Sequence, residues 1–160
     1  MTQLGKVVAG VVLGPIVVVV AGIGGCEATK AYYDWQVREM CAKDGGANVY
    51  ERMAISPAMF KELKGDLGGG LAIPHESMRR PEIPFYWRSE QRTVREGNPR
   101  IARTEHLIIR RSDGKVLGKA VFYGRSGGDF PFTVSEASYF QCPQQTHLER
   151  QIFFTEGTIK

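Results

Sequence analysis

Three cysteines (Cys26, Cys41, Cys142), three histidines (His75, His106, His147) and one serine in a glycine loop are the groups in this chain with chemistry to offer. Gly124-Arg125-Ser126-Gly127-Gly128 matches G-x-S-x-G, and Glu136 and His147 follow in the serine, acid, histidine order that nucleophilic hydrolysis uses. Such an elbow needs a strand, a sharp turn and then a helix, so that the hydroxyl stands free beside oxyanion donors. Here Asp129-Phe130-Pro131 follows, with no helix and no parallel-sheet pattern. The expectation is a solvated glycine turn with Ser126 non-catalytic. The loop also lacks the lysine and the following helix of a phosphate cradle. The histidines are far apart, with no i, i+4 pair and no cysteine beside them, so no metal site and no cofactor is expected. The chain does not read as an enzyme.

The cysteines point to a membrane. Cys26 ends the uncharged run VVAGVVLGPIVVVVAGIGGC, which begins at Val7 and contains eight valines. As a helix, Val7 to Gly25 extends roughly 28 Å, close to the ~30 Å of bilayer hydrocarbon. The run is long for a signal segment, so cleaved and uncleaved readings compete. Lys6 and the start amine lie before it; Glu27, Lys30 and Asp34 lie after it. This weak positive-inside bias sends the bulk of the chain outward. Gly22-Ile23-Gly24-Gly25-Cys26 resembles the lipobox of bacterial lipoproteins, with Ile23 where leucine is commonest and Gly24 in place of alanine or serine. The resemblance implies removal of residues 1–25 and acylation of Cys26, palmitate included, with the bilayer as partner. Glu27 after the cysteine resembles lipoproteins sent to the outer membrane of Gram-negative bacteria. If the run is retained instead, it is an inner-membrane helix with a Gly10/Gly14 GxxxG pair and a kink at Pro15. An odd cysteine count leaves one thiol over. With Cys26 lipidated, Cys41 and Cys142 remain to pair in an oxidising compartment, and closing a loop of about 100 residues stabilises by up to ~4.7 kcal/mol.

Beyond the first 25 of its 160 residues the chain has enough length for one domain, 26–160, with its own core. Ala28 to Lys43 predicts a helix with Tyr33, Val37, Met40 and Cys41 on one stripe and Gly45-Gly46 as its stop. Tyr32, Tyr33 and Trp35 follow the anchor, where rings favour the membrane interface or else enter the core. Asn48 to Ile55 alternates as a strand, and Ser56-Pro57 opens a short helix closed by Gly65. Gly68-Gly69-Gly70 and three prolines then predict irregular structure up to Pro84. Runs at 85–95, 100–110 and 115–123 predict an antiparallel meander. Asp113-Gly114 predicts a two-residue hairpin that sets Ile109 opposite Gly118, Leu107 opposite Ala120 and Glu105 opposite Phe122. On that register the 28–43 helix approaches over Gly118 and Ala120. Arg110, Lys119, His106, Thr104 and Tyr123 fall on a wet face. Gly124 to Asp129 reads as a loop, with late strands at Phe132-Thr133-Val134, Tyr139-Phe140 and Ile152-Phe153-Phe154. The class is α+β: an N-terminal membrane or signal segment, then a helix packed on an antiparallel β-meander.

The net charge is +4, with twelve Arg and Lys against five acids over residues 79–125. In a cytosolic chain that excess suggests nucleic acid; export argues against it. Arg88, Arg92, Arg110 and Lys119 are then expected to form a docking face for an anionic envelope component or a protein partner. The segment GNPRIARTEHLIIRRSDGKVLGKAVFYGRSGGD within 85–129, with CAKDGGANVYE earlier, is similar to small uncharacterised exported proteins of Gram-negative bacteria, and implies an address without an activity. The functional expectation is an envelope lipoprotein facing the periplasm that binds or scaffolds. The alternatives are an accessory subunit of a membrane complex with an uncleaved helix, and a small serine hydrolase.

Overall fold

The computed structural model describes residues 3–64, 70–78, 80–129, 136–144 and 146–155, with side chains from Gly24 onward. The elements are α1 (Gln3–Asp44), β1 (Gly46–Val49), β2 (Met53–Ile55), α2 (Pro57–Leu63), β3 (Phe85–Arg95), β4 (Arg100–Arg110), β5 (Val116–Ser126), β6 (Tyr139–Cys142), α3 (Leu148–Ile152) and β7 (Phe153–Thr155). The class is α+β. Antiparallel strands run in the order β1-β5-β4-β3, with β6 also on β5, and β2 pairs with β7 in a small parallel sheet. Among the residues whose side chains are described, no helix is long and apolar enough to cross a membrane. The expected strand at Phe132-Thr133-Val134 and the stop at Gly65 lie outside the described residues.

α1 does not break at Gly24-Gly25, and continues as one helix to Asp44. From Lys30 on, one stripe of it meets the sheet. Lys30 pairs with Asp129 at 3.3 Å, Asp34 with Arg125 at 2.5 Å, and Asp44 accepts from the Tyr123 hydroxyl at 2.7 Å. Val37, fully buried, and Cys41 lie between them, packed on Ile101, Val121 and Tyr123. The spacing 30, 34, 37, 41, 44 is the alternation of fours and threes that keeps side chains on one side of a helix. Cys41 and Cys142 are disulfide-bonded, with 6.0 Å between their Cα atoms, and so tie α1 to β6.

The hairpin between β4 and β5 differs from the expected one. Arg110 N–H bonds Lys115 O at 2.9 Å, so the loop holds four residues, and Gly114 takes its left-handed position at φ 69°. Leu117 is an extra residue between the pairs Ile109↔Val116 and Ile108↔Gly118. The register therefore slips, and a one-residue slip exchanges the faces of a strand. Ile109 and Leu107 separate from Gly118, Ala120 and Phe122. Tyr123, expected to be wet, is buried beneath α1. Gly118 does admit a helix, but that helix is α3: a Cβ there would lie 2.7 Å from Ile152 Cδ1 and 3.1 Å from Leu148 Cδ1. The main core fills this second face at its hairpin end, where Phe85, Ile108, Leu117, Leu148, Ile152 and Phe153 meet.

Two further expectations change. The single strand over 48–55 is divided: β1 pairs with β5 and β2 turns away to β7. Gly124, Arg125 and Ser126 belong to β5 and are not a solvated loop, because β6 pairs alongside them and α1 covers Arg125. The short helix is as expected, with Ser56 Oγ accepting from Met59 N–H at 3.2 Å.

Arg125 is 3% exposed, and its guanidinium also donates to Gly127 O and Ser138 Oγ. Asp34→Ala is expected to destabilise the fold by about 3 kcal/mol, because it leaves a buried cation without its counter-charge. Pairing it with Arg125→Met should restore most of the loss. Urea midpoints of the three variants test this; a cost below ~1 kcal/mol for Asp34→Ala would class the pair with exposed ones.

Candidate functional site

Register assigns the side chains of the second sheet face rung by rung. Arg100, Ser126 and Tyr139 share one rung; Thr93, Ala102, Gly124 and Gln141 the next; Gln91, Thr104 and Phe122 the third; Ser89, His106 and Ala120 the fourth. The main core covers the far end of this face and leaves these rungs as a cleft of 250 Å³. Its floor is low because Ala102 and Gly124 carry almost no side chain. Tyr139 lies across Gly124, where a Cβ would come within 2.7 Å of the Tyr139 hydroxyl and 3.1 Å of ring carbons. That ring is held by its hydroxyl on Gln141 Oε1 at 2.7 Å, yet the residue is 64% exposed.

An adjoining hollow of 230 Å³ shares His106 and Phe122 with the cleft and adds Ile73, Trp87, Leu148 and Thr146. The His106 ring sits between those of Trp87 and Phe122, with centroids at 5.5 and 5.1 Å. Burial lowers its pKa, since the cationic form loses more solvation than the neutral one. His106 makes no hydrogen bond among the described residues, and the buried Thr146 Oγ1 likewise lacks a partner. A neutral imidazole with a free donor and a free acceptor suits ligand recognition.

The structure does not bring Ser126, Glu136 and His147 together. Ser126 faces the cleft one end away from His106, six residues along the strand pair or ~20 Å at ~3.3 Å per residue. Glu136 is exposed, and His147 stands beside Glu149 at 3.4 Å at the start of α3. The Ser–His contact among the described residues is a local one: His75 Nδ1 meets both the Ser77 hydroxyl, at 2.8 Å, and the Ser77 N–H, at 3.2 Å, closing a turn. No cluster of three metal-ligating side chains occurs among the described residues.

The basic residues do not make one patch. Arg88, Arg92 and Lys119 share the α1 face by strand alternation, whereas Arg110 falls on the other side. Most already have counter-charges. Arg88 is bidentate on Glu76 at 2.8 and 2.5 Å, and Lys119 is 3.6 Å from Glu105. Arg110 bonds both Glu51, at 2.5 Å, and Asp113, at 2.8 and 3.0 Å. The Arg110 contact holds the Asp113 carboxyl down to about 2, and Arg88 depresses Glu76 in the same way. Arg92 is exposed and forms no ion pair among the described residues. Of the other expected sites, Cys26 is a partly exposed free thiol on α1, one turn before Lys30.

Sequence reasoning missed Arg100, Gln91, Tyr139 and Gln141, which only the observed register brings around Gly124. Compared with known protein families, curated proteins and solved structures, the chain matches none.

A group whose folded pKa is depressed contributes stability above its unfolded pKa and loses it as pH falls through the folded value. His106 therefore favours the fold above about pH 6.5 and opposes it once acid forces it to charge. In ring-proton NMR its midpoint is expected below ~6.5. A midpoint at or above that value would mean the imidazole is solvated and the cleft more open than described.

Proposed function

We propose that this protein is a membrane-anchored domain of the bacterial cell envelope that binds or scaffolds rather than catalyses, acylated at Cys26 with residues 26–160 facing the periplasm. The observation that carries the reading is the spacing on α1: Lys30, which pairs with Asp129 just beyond β5, follows Cys26 by a single turn, about 6 Å of rise. An acyl group at Cys26 would hold the domain flat against a bilayer, with no linker between. Tyr32 and Trp35, 52% and 53% exposed, follow on α1 at about 9 and 14 Å of rise from Cys26, and amphipathic rings favour the headgroup layer. The open cleft, where His106 makes no hydrogen bond and no nucleophile–base pair occurs among the described residues, supports binding over catalysis. Glu27 favours the outer membrane.

The continuity of α1 from Gln3 to Asp44 favours a second reading, an accessory subunit of an inner-membrane complex that keeps its N-terminal helix. Intact-mass analysis of the membrane-bound protein separates the two. Lipidation predicts loss of residues 1–25 and acyl mass on Cys26. Met1 retained would transfer the assignment to the helical anchor, and soluble material beginning elsewhere would exclude both.

A further inference from the structure

The cleft around Gly124 has a composition that selects its ligand. Two amides (Gln91, Gln141), hydroxyls from Thr104, Ser126 and Tyr139, and one guanidinium (Arg100) surround it, and no carboxylate among the described residues lines it. Arg100 is exposed, donates to Thr93 Oγ1 at 2.7 Å, and forms no ion pair among the described residues. Arg88, Arg103 and Arg110 are matched by acids, so that Arg100, like Arg92 on the opposite face, keeps an uncompensated charge among the described residues. A cation without a counter-charge beside neutral hydrogen-bonding groups fits a ligand with one negative charge and many hydroxyls.

The Tyr139 ring adds the second half of the recognition. Its hydroxyl end lies against the bare backbone at Gly124, the hydroxyl donates to Gln141, and the residue remains largely exposed. A ring immobilised in this way is a stacking platform that has already lost its rotational freedom. The C–H face of a pyranose stacks on such a ring while its hydroxyls reach Gln91, Thr104 and Ser126, Gln141 being engaged by Tyr139 and Pro143 O. The four steps from Arg100 to Thr104 extend ~13 Å, and the three strand spacings from β3 to β6 make ~14 Å, which leaves room for a short oligosaccharide. We infer that this cleft binds a short acidic glycan, a sugar carrying a carboxylate, with Tyr139 under one ring and Arg100 on the carboxylate. The inference rests on the binding role proposed above and gives it a ligand class.

The test uses the full-length protein from membranes, reconstituted in lipid nanodiscs, with the mass of its N-terminus read on the same preparation. A hyaluronan tetrasaccharide, which alternates a uronic acid with an N-acetylated sugar, is compared with the neutral chitotetraose by NMR titration. The acidic probe is expected to bind more tightly, and Arg100→Gln to weaken it by about tenfold, the loss of one charge-assisted hydrogen bond, while the neutral probe is unchanged. Tyr139→Ala should weaken both probes. Gly124→Ala should do the same although the tyrosine is kept, because the added methyl lifts the ring from its seat. A merely polar surface would not respond to Gly124→Ala. No binding of either probe, or equal affinity for the two in Arg100→Gln and unmodified protein, would overturn the ligand class. If that happens with Cys26 acylated, the anchored reading survives. Selective binding by a soluble, unacylated chain would instead keep the ligand class and remove the anchor.

Discussion

A buried charge organises this protein. Arg125 lies within β5, almost wholly removed from water, and Asp34 of α1 supplies the carboxylate that makes its position tolerable. Removing either partner alone would leave an ion in a medium that cannot solvate it. The pair therefore selects one placement of α1 on the sheet, in rotation and in translation. The other contacts follow from that placement: Lys30 reaches Asp129 above it, and Asp44 reaches Tyr123 and Arg103 below. The Cys41–Cys142 bridge then makes the placement covalent.

Fixing α1 on one face has consequences for the other. The sheet would be half-solvated with one helix alone, but α3, β7 and the 71–83 segment cover the hairpin end of the second face. Trp87 is bonded through its backbone to Pro74 and Glu76, which draws that segment over the start of β3. What remains uncovered is the part of the face near the ends of β4 and β5, where the residues are small or polar. The cleft is thus the area left over by two coverings of unequal reach. His106 stands at the border between them, dry enough to stay neutral and near enough to the opening to meet a ligand.

Charge is also distributed by this geometry and not by the sequence average. An excess of arginine along 79–125 suggested a basic surface. In the fold, acids from distant segments come to those arginines: Glu76 to Arg88, Glu51 to Arg110, Asp44 to Arg103. Each neutralisation joins residues between twelve and 59 positions apart, which composition cannot register. After these pairings Arg100 is the cation left over on the cleft face, as Arg92 is on the face of α1.

The sequence by itself determined the α+β class, the three long strands and their antiparallel order, the capped helix after Ser56, and the pairing of Cys41 with Cys142. Those follow from local periodicity, turn residues and cysteine count, all of which act over short stretches or are independent of shape. Which side of each strand is dry was decided by the tertiary structure. Asp113-Gly114 marks the turn correctly, but Arg111 and Ser112 join it in the loop and Leu117 bulges, and together these shift the register enough to exchange faces. Pairing with β6 turned a loop serine into the end of a strand, and the register shift put Tyr123 and Arg125 beneath α1 and gathered Arg100, Gln91 and Tyr139 around Gly124. Side chains alternate with a period of two, so an error of one residue in a turn inverts every assignment that depends on it. Only packing against α1 on one side and α3 on the other settles that choice.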